Sequence, residues 1–450
     1  MKQHNKMLAL LLAAIMALSV AGCGAQQSAS DDESAEQTLW LNDSVVDVQQ
    51  DYAMESPSAL ADLTQPARVI TKEEQAARSA QQTDEVRAVW LSYLDLQSML
   101  LNSNDQSVGK AQFTKNIQQA FDNIRSIGLN TVIAQVRPFS DALYDSELFP
   151  WSYLAAGTEG KDPGFDPLQI MVEEAHSRGL RLEAWINPYR VRNAANTRQV
   201  SAANPATAML RSGDAVQYNG AITYNPASKK AQQLIVDGVK EIVENYEVDG
   251  IHFDDYFYPT TDAAFDASSY AAYQAAGGTK TLAAWRRQNV DDLVQAVYKA
   301  IKAIDPQVEF GISPQGNMDN NYNKQYIDVE KWLTQDGYID YICPQIYFGF
   351  QNSTCPYAET VEQWSEMITN DVALYVGLSP YKIGTEDTYA GSGRWEWANS
   401  SDILARMVQT ARTDSQYEGF ALFRYDSLFK PQSSVKAAVQ EEIDSLQKVL

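Results

Sequence analysis

The sequence predicts an α/β fold in which eight parallel strands and their connecting helices close into a barrel. From Val86 onward, short apolar runs alternate with longer amphipathic stretches, and this unit occurs eight times. Strands that alternate with helices form a parallel sheet, and eight such units can close it. The alternative is an open, doubly wound sheet in two lobes. The first strand–helix turns lack the glycine-rich sequence that a nucleotide-binding sheet of that kind requires, which favours the barrel.

The apolar runs and amphipathic stretches give the expected elements in order. The strands are Val86–Tyr93, Thr131–Val136, Arg181–Ile186, Gly250–Asp254, Glu309–Ser313, Tyr338–Pro344, Leu374–Leu378 and Gly419–Phe423. The helices are Lys110–Ser126, Pro167–Arg178, Ser228–Glu247, Thr281–Ile304, Asp328–Gln335, Thr360–Thr369, Ser401–Ser415 and Ser433–Leu450. Gly128 and Gly179 follow the first two helices, where a left-handed glycine commonly ends a helix.

The charge balance and the cysteine count exclude several classes of partner. The chain has 35 Lys and Arg against 58 Asp and Glu, a net charge of −23. Phosphate backbones would repel such a chain, so we expect no nucleic-acid partner. With three histidines and three cysteines, one of them near the N-terminus, a Cys₄ or Cys₂His₂ zinc site cannot be assembled. We therefore expect no metal and no organic cofactor.

Residues 1–22 have the features of a bacterial secretory signal. Lys2 and Lys6 precede an apolar run that is too short to span a bilayer comfortably. The run ends in the sequence VAGC, which resembles a lipobox, where a signal is cut before a cysteine that is then acylated. We expect an extracytoplasmic lipoprotein of the cell envelope, anchored in the membrane through Cys23. The alternative is ordinary signal cleavage, with Cys23 incidental.

Residues 23–84 differ in composition from the rest of the chain. Between Gly24 and Glu85 there are thirteen Asp or Glu against three Lys or Arg, with many Ser, Gln and Ala. Such a segment cannot bury enough apolar surface to fold alone, and its like charges extend it. We expect a disordered acidic tether here, followed by the barrel over residues 85–431. Residues 432–450 should form a C-terminal helix that packs on the barrel.

Large polar and aromatic residues follow most of the predicted strands. Because the carboxyl ends of barrel strands meet at one opening, these residues should gather there. Aromatic rings offer apolar faces to sugar rings, while Asn, Gln and Arg suit hydroxyl and acetamido groups. The combination indicates a carbohydrate site. The runs concerned include Gln135-Val136-Arg137, Asn187-Pro188-Tyr189-Arg190, Asp254-Asp255-Tyr256-Phe257-Tyr258 and Gln345-Ile346-Tyr347-Phe348.

Asp254 and Asp255, at the end of the fourth strand, are the strongest catalytic candidates. Strand alternation places His252 and Asp254 inside the barrel and turns Asp255 outward as the loop begins. Adjacent carboxylates repel each other, which raises the pKa of one and suits it to general acid catalysis. In the alternative, one aspartate is catalytic and the other caps the loop or binds arginine. His252 is either a site residue or a core histidine bonded to a neighbour.

A glycosidase that uses two carboxylates needs a partner for this acid. Glu183 on the third strand and Asp141 just beyond the second are candidates, whereas the fifth strand ends without a carboxylate. That absence leaves a substrate-assisted route open, in which an N-acetyl group of the substrate attacks. One aspartate would position the acetamido group and the other would protonate the leaving oxygen. Tyr347, after the sixth strand, is placed to assist.

Two arginines at strand ends allow two interpretations. Arg137 and Arg190 could each hold a substrate carboxylate through two hydrogen bonds. They could instead pair with Asp254, Asp255 or Glu183 and fix the geometry of those carboxylates.

Cysteines, a histidine and an aromatic loop complete the candidates. Cys343 and Cys355 could form a disulfide that shapes the opening. A nucleophilic cysteine is not expected, because no histidine lies nearby in the sequence. His176 lies within a predicted helix and should be on the surface. The aromatic loop over 389–397 either forms walls of sugar subsites or packs the barrel rim.

Several of these motifs resemble glycosyl-hydrolase-like family ten of bacterial envelope proteins. The resemblance extends from about Glu85 to Pro431, about three-quarters of the chain. It implies a (β/α)₈ barrel, which in this family often occurs in lipoproteins. Family members of known activity cleave peptidoglycan glycan strands and prefer strands stripped of stem peptides. It rests on the runs VRAVWL from Val86, AWINPYR from Ala184, DGIHFDDYFYP from Asp249 and PQIYF from Pro344.

The resemblance also implies site residues, position by position. The family often has histidine where this chain has Glu183, so no role is implied for Glu183. The implied site residues are Arg137, Asn187, Asp254, Asp255, Gln345 and Tyr347.

We therefore expect a secreted glycosidase that hydrolyses β-1,4 bonds of an amino-sugar polymer, peptide-stripped peptidoglycan glycan above all. Asp254 and Asp255 should carry the catalytic roles. The alternatives are a non-catalytic glycan-binding lipoprotein that delivers fragments to a transporter, and a glycosidase that acts on another extracellular polysaccharide. The residues expected to contact the substrate are Arg137, Asp141, Asn187, Tyr189, Arg190, Tyr256, Gln345 and Tyr347.

Overall fold

A computed structural model describes residues 85–196 and 198–450 of the chain. The expected signal peptide, the acylated Cys23 and the acidic tether over 23–84 lie outside the described residues, so they stay predictions. Among the described residues, no helix combines the length and the apolar character needed to cross a membrane.

Eight parallel strands close into a barrel, which confirms the predicted fold. The strands are β1 Val86–Leu91, β2 Thr131–Arg137, β3 Arg181–Ile186, β4 Arg190–Arg192, β5 Ala215–Tyr218, β6 Ala221–Tyr224, β7 Gly250–Phe253, β8 Glu309–Ile312, β9 Tyr341–Ile342, β10 Ala373–Leu378 and β11 Tyr417–Leu422. The closed ring has the order β1-β11-β10-β9-β8-β7-β3-β2. Every neighbouring pair in the ring is parallel. The carboxyl ends of all eight strands therefore meet at one opening.

Helices connect the barrel strands on the outside. They are α1 Tyr93–Leu100, α2 Lys110–Ser126, α3 Tyr153–Ala156, α4 Pro167–His176, α5 Pro205–Ser212, α6 Lys229–Asn245, α7 Ala267–Ala275, α8 Leu282–Ile304, α9 Met318–Asn323, α10 Val329–Thr334, α11 Tyr357–Met367, α12 Glu396–Asn399, α13 Ile403–Ala411, α14 Tyr425–Phe429 and α15 Lys436–Leu446.

The ends of the helices follow from local sequence signals. Asp166 precedes Pro167 at the start of α4, and its carboxylate accepts the N–H of Gln169 at 3.0 Å. Gly128 and Gly179 follow α2 and α4 with φ angles of 90° and 68°, which confirms the left-handed positions that the sequence predicts.

Aromatic side chains fill the inside of the barrel. Trp90, Trp185, Tyr341 and Tyr375 are each at most 6% exposed. The rings of Tyr341 and Tyr375 stack with their centroids 4.4 Å apart. Gly311 on β8 leaves room for this stack, because a Cβ atom there would lie 1.9 Å from Cζ of Tyr341.

A small antiparallel sheet lies between β3 and α6, and the sequence analysis missed it. Its strand order is β4-β6-β5, and α5 lies between the first two of its strands in the chain. Strands of three or four residues are too short to produce a recognisable alternation of apolar and polar positions. Because this insertion begins at the carboxyl end of β3, it borders the opening.

The last helix packs on the barrel through a buried carboxylate. Glu442 of α15 accepts the backbone N–H groups of Ile403 and Leu404, at 3.0 and 3.1 Å, at the start of α13. Near the other end of the described chain, Glu85 accepts hydrogen bonds from Arg412 and Tyr417. These contacts join the first and last elements of the fold.

We expect Gly311→Ala to lower the free energy of unfolding by about 1–3 kcal/mol, because the added methyl group overlaps the Tyr341 ring. Chemical denaturation of the wild type and the variant measures the loss. Combined with Tyr341→Ala, the two losses should be less than additive, since the smaller side chain leaves room for the methyl group. If the two losses in free energy of unfolding were fully additive, the added methyl group would not clash with the Tyr341 ring.

Candidate active site

Asp254 follows β7 directly and is buried against the end of β3. Its Oδ2 accepts hydrogen bonds from the indole N–H of Trp185, at 3.2 Å, and from the side-chain amide of Asn187. Its Oδ1 accepts the backbone N–H of Tyr256 at 3.3 Å. All three donors favour the ionised carboxylate.

Asp255 is also buried, so the prediction that strand alternation turns it outward was wrong. The strand ends at Phe253, and alternation does not continue through the two aspartates. The carboxylate of Asp255 accepts the side-chain amide of Gln325 at 3.1 Å and that of Gln345 at 3.3 Å. Gln345 also donates to the Ser313 carbonyl at 3.1 Å, which fixes its amide. Amide side chains therefore surround Asp255.

The two aspartates affect each other's ionisation. Burial raises the pKa of Asp254, the neighbouring Asp255 raises it further, and the positive charge of Arg190 opposes both. Burial likewise raises the pKa of Asp255, against the hydrogen bonds that its glutamine partners donate. Two adjacent buried carboxylates resist simultaneous ionisation, so we infer that the pair retains one proton near neutral pH.

A chain of amide groups fixes the orientation of Asn187. The backbone N–H of Tyr93 donates to Oε1 of Gln135 at 2.9 Å, and Nε2 of Gln135 donates to Oδ1 of Asn187 at 2.7 Å. Since its oxygen is occupied, Asn187 presents its N–H group to Asp254. Gln135 therefore positions a donor for the candidate catalytic carboxylate.

His252 belongs to a buried chain of hydrogen bonds. The indole of Trp90 donates to Nε2 of His252 at 3.2 Å, which leaves the proton on Nδ1, 2.7 Å from the Tyr341 hydroxyl. Burial lowers the pKa of His252 to about 3, so the ring is neutral. Tyr341 in turn donates to Glu183, which points into the barrel. This chain supports the core-histidine interpretation of His252.

Glu183 is not the second carboxylate of the opening. Its Oε1 lies 4.0 Å from Nη2 of Arg181. Arg181 is the first residue of β3, so it lies at the opposite end of the strand from Asn187. Burial raises the pKa of Glu183 to about 7. The Tyr341 contact and the Arg181 neighbour indicate a core role.

Arg190 and Tyr256 lie at the opening beside Asp254. Nε of Arg190 donates to the Pro138 carbonyl at 2.9 Å. The guanidinium carbon lies 4.6 Å from the centre of the Tyr256 ring and 5.0 Å from that of Phe139. Arg190 and Tyr256 line the same groove.

Tyr347 and Gln345 lie close to Asp255, on the loop after β9. The Tyr347 ring packs with its centroid 5.9 Å from that of Tyr381 and 5.8 Å from that of Phe423. Burial raises the pKa of the Tyr347 hydroxyl, and Asp255 is among the charges that add to this effect. The buried ammonium of Lys382 donates to the Tyr347 carbonyl at 2.8 Å and holds the loop.

Arg137 and Tyr189 do not line the opening, contrary to their prediction as substrate ligands. Arg137 is 1% exposed, and its guanidinium lies 4.3 Å from the centre of the Phe149 ring, against Gly238 of α6. The pairing of β2 with β3 shifts register between Gln135 and Arg137, which reverses the expected side for Arg137. Tyr189 is fully buried, including its hydroxyl.

Asp141 is buried beside the opening, in a different environment from the aspartate pair. Its Oδ2 accepts the backbone N–H of Tyr153 at 3.3 Å. Burial raises the pKa of Asp141 to about 7, and the nearby Glu159 adds to the effect. Its hydrogen bond is to the loop after β2, and none of the contacts described for residues 85–196 and 198–450 joins it to the aspartate pair.

Cys343 and Cys355 are free thiols, so the disulfide interpretation was wrong. Cys343 points into the packed barrel interior, whereas Cys355 is partly exposed on the following loop, 3.9 Å from Nδ2 of Asn317. His176 is exposed, as expected, and contacts Asp249 at 3.0 Å. Across residues 85–196 and 198–450, no cluster of three His, Cys, Asp or Glu could hold a metal ion.

Three residues that hold the aspartate pair were missed in the sequence. Trp185 had a signal, because it lies two residues before Asn187 on the same side of the strand, and Gln135 appeared among the strand-end runs without a role of its own. Gln325 had none, because it follows the short α9 and reaches Asp255 only through the tertiary fold.

A parallel barrel with two carboxylates at the carboxyl ends of its strands is the architecture of a glycosidase-type protein. The glycosyl hydrolase-like 10 family model matches residues 85–392, and the chain belongs to this family.

Two relatives are similar over most of the barrel. Glycosyl hydrolase YngK of Bacillus subtilis is 36% identical over 326 residues, which cover 68% of this chain and 62% of that protein. The chain thus spans less than two thirds of that relative. Glycosyl hydrolase DigH of Escherichia coli K12 is 34% identical over 390 residues, which cover 79% of this chain and 87% of the relative.

Solved structures share the fold at low sequence identity. The glycoside hydrolase domain of PgaB (BpsB) from Bordetella bronchiseptica has a TM-score of 0.53 and 13% identity, covering 81% of this chain and 98% of that domain. The catalytic domain of β-amylase from Paenibacillus polymyxa has a TM-score of 0.52 and 12% identity, with coverages of 82% and 99%. Both likenesses support the (β/α)₈ barrel.

We expect the free energy of unfolding of Asp254→Asn, relative to that of the wild type, to be about 1–3 kcal/mol higher at pH 8 than at pH 4. Because folding raises the pKa values of the buried aspartate pair, ionisation of the pair costs the wild type stability as the pH rises above the pKa of an aspartate in the unfolded chain, about 4. The variant lacks this loss. Denaturant unfolding at both pH values measures it, with Asp444→Asn, exposed on α15, as the control. Equal effects at the two pH values would contradict the expectation.

We expect Gln135→Glu to raise the pKa of Asp254 further. The new carboxylate can still accept the N–H of Tyr93 but cannot donate to Asn187. The Asn187 amide would then turn over, donate to the new carboxylate and present its oxygen to Asp254. Carboxyl ¹³C titration by NMR measures the pKa. Gln135→Met, which removes the donor without adding a charge, should give a smaller upward change. An unchanged pKa in both variants would show that Gln135 does not position Asn187.

Proposed function

We propose that the protein is a glycoside hydrolase that cleaves β-1,4 bonds in an amino-sugar polymer, with peptide-stripped peptidoglycan glycan as its substrate. The observation that carries the proposal is the buried pair Asp254–Asp255 at the carboxyl-terminal opening of the barrel. Membership of the glycosyl hydrolase-like family supports a glycosidase, and the curated relatives bear the name glycosyl hydrolase.

Asp255 is the general acid in this proposal, and Asp254 remains a carboxylate. Two of the donors to Asp254, the Trp185 indole and the Tyr256 backbone N–H, cannot become acceptors. The partners of Asp255 are side-chain amides, and Oε1 of Gln325 is buried without a hydrogen-bond partner in the described chain. If that amide turns over, its oxygen can accept the proton of a neutral Asp255. The surroundings therefore suit Asp255 in both protonation states.

The substrate's own acetamido group serves as the nucleophile. Its carbonyl oxygen attacks the anomeric carbon as the bond to the leaving sugar breaks, and the Asp255 proton passes to the leaving oxygen. The Asp254 carboxylate accepts the acetamido N–H and stabilises the positive charge that develops there. Water then attacks the anomeric carbon, returns a proton to Asp255 and regenerates the acetamido group. Glu183 and Asp141 take no part, which is consistent with their contacts.

Tyr347, Gln345 and Tyr256 bind the sugar that carries this acetamido group. Gln345 and Tyr347 lie beside Asp255, and Tyr256 offers a partly exposed ring at the groove. An aromatic face and amide groups suit an N-acetylated pyranose. Arg190 lies against Tyr256 and adds a positive charge near Asp254.

Membrane anchoring through Cys23 completes the proposal. The VAGC run and the acidic stretch that follows it support an acylated cysteine and a tether that holds the barrel off the membrane. The full chain has a net charge of −23, and an acidic enzyme so placed would not adhere to anionic wall polymers.

The division of roles predicts different responses to the leaving group. On peptide-free glycan strands, Asp255→Asn and Asp254→Asn should each lower kcat/KM by about 10²–10⁴-fold. An aryl glycoside of an N-acetylglucosamine oligomer releases a phenolate, which leaves without a proton from a general acid. Asp255→Asn should therefore retain most of the activity on this substrate. Asp254→Asn should lose activity on both substrates. Rates of product release and of phenol release measure the two reactions.

Asp444→Asn serves as the control, because this carboxylate is exposed on α15. The reverse pattern, with the aryl glycoside retained only by Asp254→Asn, would exchange the roles of the two aspartates. Measurable glycan binding without cleavage by the wild type would indicate a non-catalytic carrier. Cleavage of other polysaccharides but not of peptidoglycan glycan would replace the proposed substrate.

A further inference from the structure

A second hollow lies next to the groove that holds Tyr256. It is a cleft of about 460 Å³, a volume sufficient for a sugar ring with its substituents. Its walls come from the loops after β2 and from the antiparallel insertion. Lining residues include Phe139, Asp141, Tyr153, Glu159, Arg192 and Asn204.

The cleft adjoins the groove that Arg190 and Tyr256 line. Phe139 lines the cleft and also packs under Arg190, whose guanidinium carbon lies 5.0 Å from its ring centre. Arg190 packs on Tyr256, the residue after Asp255, at 4.6 Å. Arg192 lines both the groove and the cleft. The side chains of Phe139, Arg190 and Tyr256 thus lie between the cleft and Asp255, and a strand bound at the aspartates would pass over them to reach the cleft.

A network of hydrogen bonds holds the floor of the cleft. The Ser140 hydroxyl donates to Oδ1 of Asn204 at 2.9 Å, and the Asn204 amide donates to Glu159 at 2.7 Å. The other oxygen of Glu159 accepts the backbone N–H of Ser201 at 3.2 Å. The polar groups of the cleft are thus fixed before any ligand arrives, which lowers the entropic cost of binding.

Asp141 and Tyr153 give the cleft its binding chemistry. Asp141 is 3% exposed, and its Oδ1 has no hydrogen-bond partner among the described residues. A buried, unpartnered carboxyl oxygen is costly unless a ligand supplies a hydrogen bond. Tyr153 and Phe139 place two aromatic rings at the cleft, with centroids 6.1 Å apart, and the guanidinium carbon of Arg198 lies 4.3 Å from the centre of the Tyr153 ring.

We infer that this cleft is a distal subsite that binds a further amino-sugar unit of the same glycan strand. The inference rests on the proposed function, because it assumes that the aspartates act on that strand. A hydroxyl or acetamido group of the sugar satisfies Asp141, and the sugar ring packs against the stacked side chains of Tyr153 and Arg198. The enzyme thereby prefers long strands to short oligosaccharides.

Binding is measured in the Asp255→Asn background, where cleavage is slow, with a long peptide-free glycan strand and with a disaccharide of the same sugars. Adding Tyr153→Ala should weaken binding of the strand about tenfold and leave the disaccharide unchanged. Asp141→Asn should weaken the strand in the same selective way. Tyr298→Ala is the matched control, a half-buried tyrosine on α8 whose hydroxyl faces Asp340 and Asp336.

Equal losses for the strand and the disaccharide, or no loss for either, would overturn the subsite. A loss seen with peptide-bearing peptidoglycan but not with peptide-free strands would assign the cleft to a peptide, and would also overturn it. Thermal unfolding of each variant shows whether Tyr153→Ala is folded, and Asp141→Asn tests the cleft independently if it is not. Failure of the proposed function would appear separately, as a strand that the wild type binds but does not cut.

Discussion

The burial of two carboxylates side by side is the constraint on which the site depends. Asp254 and Asp255 are 3% and 5% exposed, and neither has a basic side chain as a hydrogen-bond partner in the contacts described above. Buried charges of like sign are costly, so the surrounding protein must supply N–H donors and the pair must keep a proton. The amide chain from Gln135 through Asn187 and the glutamines around Asp255 meet this requirement. In this account, stability is lost at the same groups that perform the chemistry.

The barrel supplies these donors because it brings the ends of distant strands together. Asn187 follows β3, Gln345 follows β9, and both reach the residues after β7. Below them, the buried chain from Trp90 through His252 and Tyr341 closes the barrel interior. Trp185 connects the two levels, since its ring packs edge-on against His252 and its N–H donates to Asp254. The positions of the aspartates therefore depend on the packed interior beneath them.

Periodicity and strand-end chemistry predicted the barrel, all eight of its strands and the aspartate pair. They failed where geometry departs from regular alternation. Arg137 was assigned to the opening from its place at a strand end and from the family resemblance, whereas the register shift in β2 turns it toward α6. The short strands of the insertion carry no periodic signal. Gln325, which contacts Asp255 across 70 positions of the chain, needs the tertiary structure to be found.

Hydrolysis at an anomeric carbon is the central claim, and an isotope measurement tests it most directly. The wild type and Asp255→Asn are incubated with peptide-free peptidoglycan strands in H₂¹⁸O, and the products are analysed by mass spectrometry. The account predicts that each new reducing end formed by the wild type carries one ¹⁸O atom, and that the variant forms few such ends. Products that lack ¹⁸O, as an intramolecular elimination of the leaving sugar would give, would contradict it, as would equal release by the variant.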